Sequence, residues 1–214
     1  TTAPRATHVM LYPQAGEGVV NGSSRKKVIA FANQQNPAEA WGKIAVGIKA
    51  YDYMDGTSNN YGVRSVKLFV DSMKVFSSKV DGFLPDENRM INAWTDYEEY
   101  ATRNSWFMRS QILPGNTWRM LQADDDRGVV TINEERPYRF CYVLEDLYGN
   151  RRTYRFVVQG KKQVIEPLKK GKHYLKWNQG NIIQQPGMSL VIPKGMLYED
   201  VDLNCKVIAD SLDI

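Results

Sequence analysis

The residues of this chain best suited to chemistry are few: two histidines, two cysteines and a loop rich in aspartate and asparagine. Zinc catalysis takes about three protein ligands and an open position for water. His8 and His173 lie far apart, and neither belongs to an H-E-x-x-H or H-x-H pairing. No G-x-S-x-G elbow offers a nucleophile, and no glycine-rich phosphate cradle is present. The expectation is therefore no catalytic residue and no cofactor. Cys141 falls in a strand pattern between aromatic neighbours and Cys205 in what reads as a different domain, so two buried free thiols are expected rather than a bridge. The loop over residues 52–60 places Asp52 and Asp55 as candidates for calcium. Its spacing departs from the EF-hand, and turn formation explains Asp, Gly and Asn equally well.

Aromatic side chains offer a second kind of chemistry. Trp94, Trp106, Trp118, Trp177, Tyr97 and Tyr100 suit a platform for sugar rings, although such residues more often fill the space between sheets. Basic and aromatic residues mix over 151–155 and 169–177, but no nucleic-acid module accompanies them, and no nucleic-acid partner is expected. The net charge is +4, and the acidic runs 124–126 and 96–99 oppose the basic ones. This balance reads as solvated loops and strand edges.

The elements that must position these residues are mostly strands. Ile44, Val46, Ile48 and Ala50 alternate at period two, as do Val66, Leu68 and Val70. Tyr138, Phe140, Tyr142 and Leu144 form another face, matched by Tyr154, Phe156 and Val158 across a turn at 146–150. Strands are expected over 9–12, 27–31, 43–51, 63–71, 73–80, 106–112, 117–121, 138–145 and 153–159, and again over 188–192 and 205–209. The segment 86–103 contains no Gly or Pro and spaces Ile91, Trp94 and Tyr97 three apart, which predicts an inserted helix divided near Asn92 and Thr95. A charged stretch with Pro and Gly over 160–172 reads as a domain boundary. The fold class expected is mainly β: an immunoglobulin-like β-sandwich over 1–160 with a helical insertion near 86–103, then a smaller β-rich unit over 161–214. No run is apolar enough for a transmembrane segment.

Several segments follow one another in a recognisable order: YDYMDGTSNNYGVRSVKLFVD at 51–71, FLPDENRMINAWTDYEEY at 83–100, LPGN at 113–116, LEDLYGN at 144–150 and SLVIPKGMLYEDVDL at 189–203. Together they resemble the non-catalytic region downstream of the peptidase domain in lysostaphin-type zinc metallopeptidases of Bacteroidetes-like cell envelopes. Those peptidases hold zinc through H-x-x-x-D and H-x-H motifs and cut peptide cross-links in peptidoglycan. Here Tyr12, not Asp, stands four residues after His8, so the resemblance carries no catalytic residue to any position. It implies a periplasmic or envelope accessory domain that positions the enzyme, binds a partner or shields the active-site groove. The partner would be the peptidase domain of the same parent protein, another envelope protein, or a glycan. The insertion is the expected binding patch, with Asp86, Arg89, Trp94, Tyr97 and Tyr100 as its residues. The alternatives are a carbohydrate-binding or adhesion module, or a catalytic protein with a dispersed site.

Overall fold

The computed structural model describes residues 2–32, 35–53, 56 and 59–208. With 48% strand and 8% helix the protein is mainly β. It falls into two compact units, Thr1–Ile112 with Thr117–Leu168, and Leu113–Asn116 with Lys169–Ile214.

The large unit holds β1 (Thr2–Val20), β2 (Lys27–Ala30), β3 (Ala38–Tyr53), β4 (Asn60–Tyr61), β5 (Ser65–Val70) and β6 (Met73–Lys79). A 3-10 turn (Pro85–Met90), α1 (Ile91–Trp94) and α2 (Tyr97–Arg103) follow. Then come β7 (Met108–Arg109), β8 (Leu121–Ala123), β9 (Val130–Ile132), β10 (Pro137–Glu145) and β11 (Arg151–Gly160). These strands form one curled sheet in the order β2-β1-β3-β11-β10-β5-β6-β8, with β4, β7 and β9 also paired to β3. All pairings are antiparallel except the short parallel contact of β11 with β3.

The long β3 explains the curl. Its first half pairs with β9 and β11 and its second half with β7 and β4, while β1 runs along most of its length. Register shifts interrupt the β1–β3 ladder between Ala6 and His8 and between Pro13 and Gly18. Such bulges bend a strand and raise its twist. At the second shift Gly42 has φ +81, and a Cβ there would lie 2.1 Å from the Glu17 carbonyl oxygen. Only glycine suits that close approach.

The alternation read from the sequence sets the core. Ile44, Val46, Ile48, Leu68, Phe140, Tyr142 and Leu144 are all buried in one apolar cluster. Phe140 stacks on Phe156 at 4.8 Å. The Tyr142 hydroxyl meets the Ser110 hydroxyl at 2.7 Å, so its polar atom is satisfied at full burial. Burial drives the Tyr142 phenol far above its ordinary pKa, against the hydrogen bond with Ser110.

Some expected elements changed extent. The strand expected over 106–112 is only Met108–Arg109, and of 117–121 only Leu121 enters a strand. Residues 205–208 are not a strand, and Ala209 lies outside the described residues. The insertion is three short helical pieces. Thr95 takes extended backbone and bridges Met108, and the Asp96 N–H then donates to the Phe107 carbonyl at 2.9 Å. Sheet pairing thus divides the helix at Thr95, one of the two expected points, whereas α1 runs through Asn92, the other. The turn at 146–150 closes as expected: Gly149 has φ +87, and the Asp146 carboxylate accepts the Tyr148 and Asn150 N–H groups, each at 2.8 Å. Cys141 and Cys205 are free thiols, half-buried rather than fully buried.

The small unit contains β12 (Tyr174–Leu175) paired with β15 (Val201–Asp202), and the hairpin of β13 (Asn181–Gln185) with β14 (Met188–Ile192). Pro186-Gly187 turns the hairpin, with Gly187 at φ +79.

Candidate functional site

The described surface of the large unit carries an open groove of about 590 Å³ beside the helical insertion. Six aromatic side chains line it: Tyr51, Tyr61, Phe83, Trp94, Tyr100 and Trp106. Two larger depressions are less suited to a ligand. One, about 1000 Å³, is walled by Lys26, Glu98, Glu99 and Arg103, which are already paired with one another. The other, about 890 Å³, includes Asp71 and Arg136, which form an ion pair at 2.6 Å.

Each wall of the aromatic groove follows from local structure. Tyr51 lies near the end of β3. The two-residue ladder with β4, Asp52 to Tyr61 and Tyr53 to Asn60, returns Tyr61 to the rim. Phe83 stacks on Trp118 at 5.2 Å, and Trp118 meets Trp94 edge-on at 5.3 Å. This trio anchors the insertion. Trp94 is 5% exposed, and its Nε1 has no hydrogen-bond partner among the described residues. Tyr100 is 45% exposed and packs edge-on against Trp106 at 5.6 Å. Burial raises the Tyr51 phenol above its ordinary pKa, partly offset by the Trp106 main chain.

A buried charge cluster fixes the helix that carries Tyr100. Asp96 caps α2, accepting the Glu99 N–H at 3.3 Å, and its side chain is fully buried. The Lys26 ammonium donates to both Asp96 oxygens at 3.1 and 3.0 Å and to Glu98 at 2.7 Å, and it pairs with Glu99 at 3.2 Å. Arg103 closes an i,i+4 pair with Glu99. Burial acts to lower the Lys26 pKa, but the hydrogen bonds to Glu98 and Asp96 outweigh it, and the net shift is upward. Burial, and then the Asp96 charge, push the Tyr12 phenol well above its usual range. Its hydroxyl lies near Asp96 without meeting hydrogen-bond geometry. Asn104 ends α2 in the left-handed region at φ 50, a conformation Asn tolerates.

Of the residues expected to bind, Trp94 and Tyr100 line the groove. Tyr97 is exposed, 6.3 Å from Tyr100 but outside the lining. Asp86 and Arg89 are exposed on the 3-10 turn, also outside it. Sequence reasoning missed Tyr51, Tyr61 and Phe83 as groove residues. The tyrosines flank a loop whose Asp and Asn content drew the reading toward calcium. Asp52 is buried and accepts the Tyr53 N–H at 2.9 Å; burial foremost, and also the nearby Asp146, raise its pKa. Asp55 lies outside the described residues. His8 is half-buried on β1 with Nδ1 2.9 Å from the Thr7 hydroxyl, and His173 belongs to the small unit. Among the described residues no three of His, Cys, Asp and Glu group in a metal-binding arrangement. No described helix is long and apolar enough to cross a membrane.

The fold and groove together define a mainly β protein with an aromatic-lined surface site. Residues 172–214 match the Zu5-like domain family. No curated protein and no solved structure matches the chain.

Proposed function

We propose that this chain is a non-catalytic accessory and interaction domain of a cell-envelope zinc metallopeptidase of the peptidoglycan-hydrolase type. It works in the periplasm or cell envelope, where it positions the enzyme or holds a partner. The metallopeptidase context rests on the sequence resemblance. The binding role rests on the aromatic groove, one of whose exposed rings, Tyr100, is carried on a helix fixed by the buried charge cluster. Large amphipathic rings at a concave surface are the usual means of holding a partner at low entropic cost.

Two measurements test this reading. Purified chain incubated with zinc and purified peptidoglycan sacculi is expected to release no soluble fragments. Turnover that survives repurification overturns the proposal. The same chain is expected to sediment with sacculi, and Tyr100→Ala with Trp106→Ala is expected to leave most of it in the supernatant. Failure of the unaltered chain to sediment removes the envelope-binding role.

A further inference from the structure

The groove's chemistry narrows what it accepts. Among the described residues its one charged side chain is Arg64. That guanidinium is committed: its Nε and Nη2 donate to Asp81 at 3.1 and 3.0 Å. Among the described residues the ligand therefore meets no available charge, and a charged group brought here would lose hydration without a counter-ion from them. The exposed rings are Tyr61, Phe83 and Tyr100, with Trp106 half-exposed beside them. Asn60 and Asn104 line the groove, and their side-chain amides make no hydrogen bond among the described residues. Each presents two donors and an acceptor. Neutral amides and phenol hydroxyls above aromatic faces match a molecule with an apolar face and a rim of uncharged hydroxyls.

We infer that the groove binds a neutral saccharide, with sugar rings laid on Tyr61, Tyr100 and Trp106 and their hydroxyls bonded by Asn60 and Asn104. This rests on the binding role proposed above and names its ligand class. A volume of about 590 Å³ suits a short oligosaccharide. An acidic or basic peptide is disfavoured by the absence of an available counter-charge among the described lining residues. Binding need not order α2, which Lys26 and Asp96 already fix, so the ordering cost at this wall is confined to the Tyr100 side chain itself.

The test is a titration of the full chain with tri-N-acetylchitotriose and with cellotriose, followed by heteronuclear NMR and tryptophan fluorescence. Saturable binding of at least one is expected, with shifts at the Asn60, Asn104 and Trp106 signals. Tyr100→Ala and Trp106→Ala should each weaken it by about tenfold, which is roughly 1.4 kcal/mol. Tyr100→Phe should retain most affinity, since it keeps the ring. Tyr148→Ala, at an exposed residue outside the groove, should bind as the parent does and controls for general loss of fold. Absence of saccharide binding up to about 10 mM, binding unaltered by the two groove variants, or a preference for an uncharged apolar peptide overturns the inference. If the chain still sediments with sacculi in such a case, only the saccharide assignment falls. If it neither sediments nor binds sugars, both proposals fall.

Discussion

In the large unit, Ile44, Val46, Ile48, Leu68 and Leu144 close the interior with hydrocarbon, each essentially free of solvent. Among the described residues of the small unit the buried apolar ones are Leu113, Leu175 and Ile183, and much of the ordering falls to polar side chains bonded to main chain. Asn181 accepts the Lys176 N–H at 2.9 Å and donates to the Lys176 and Gln179 carbonyls at 2.8 and 3.1 Å. Asp200 accepts the Trp177 N–H at 3.1 Å and the Lys176 ammonium at 2.6 Å, and Asp202 accepts the Gly171 N–H at 2.7 Å. Outside this network Ile182 and Val191, directly opposed in the hairpin, stand 67% and 62% exposed. A buried aliphatic side chain is worth about 1.5–3 kcal/mol and a net hydrogen bond about 1 kcal/mol. The large unit therefore draws on a deep apolar reserve, while the small one depends on a few specific bonds, any of which matters.

The sharpest way to break this comparison is Ile48→Ala. It should cost about 2–5 kcal/mol by leaving a cavity in the curled sheet. In a urea titration the loss should appear in the transition of the large unit alone. A loss confined to the small unit's signals would refute the separation of the two interiors.

Lys26→Met probes the polar exception inside the large unit. Removing the ammonium leaves Asp96 and Glu99 buried with Arg103 and the more distant Arg109 as their cationic partners among the described residues. The expected cost is about 2 kcal/mol, below that of a fully buried pair because Lys26 is partly exposed. Amide exchange should quicken in α2 before it does in β10. Unchanged exchange there would mean that the charges do not hold the insertion.

Asn181→Ala sharpens the other side. It deletes three main-chain bonds and should cost the small unit about 1–2 kcal/mol. Exchange of the β13 and β14 amides would rise, with the large unit's transition unmoved. The smallest effect is expected from acid. The Lys176 hydrogen bond foremost, helped by the Trp177 N–H and against partial burial, lowers the Asp200 pKa. A carboxylate lowered on folding stabilises above its unfolded value of about 3.9, and this is lost as pH falls through the folded value. The small unit should loosen below about pH 4, and Asp200→Asn should remove that portion of the dependence.

How far these regions were legible differs as their physics does. The strands around Ile48, Leu68 and Tyr142 announce themselves because their apolar residues repeat at two; burial follows that period in β10 and over Val66–Val70, while in β3 Ala45 and Gly47 are buried between the apolar positions as well. The hairpin strand β13 escaped notice because Ile182 and Ile183 are adjacent and its polar residues include the buried Asn181. For the groove, Trp94 and Tyr100 were found through the break they make in the strand pattern. Tyr51, Tyr61 and Phe83 carry no local mark, since they come from three separate segments.

Sequence alone determined the β class, the faces of the principal strands, the turn at Gly149 and the place of the insertion, because each depends on neighbours a few residues away. Only the tertiary structure decided that the main strands pair into one curled sheet, that Thr95 bridges Met108 where the helix is divided, and that rings from distant segments share a groove. Those outcomes depend on contacts between residues far apart in the chain, where local periodicity carries no information.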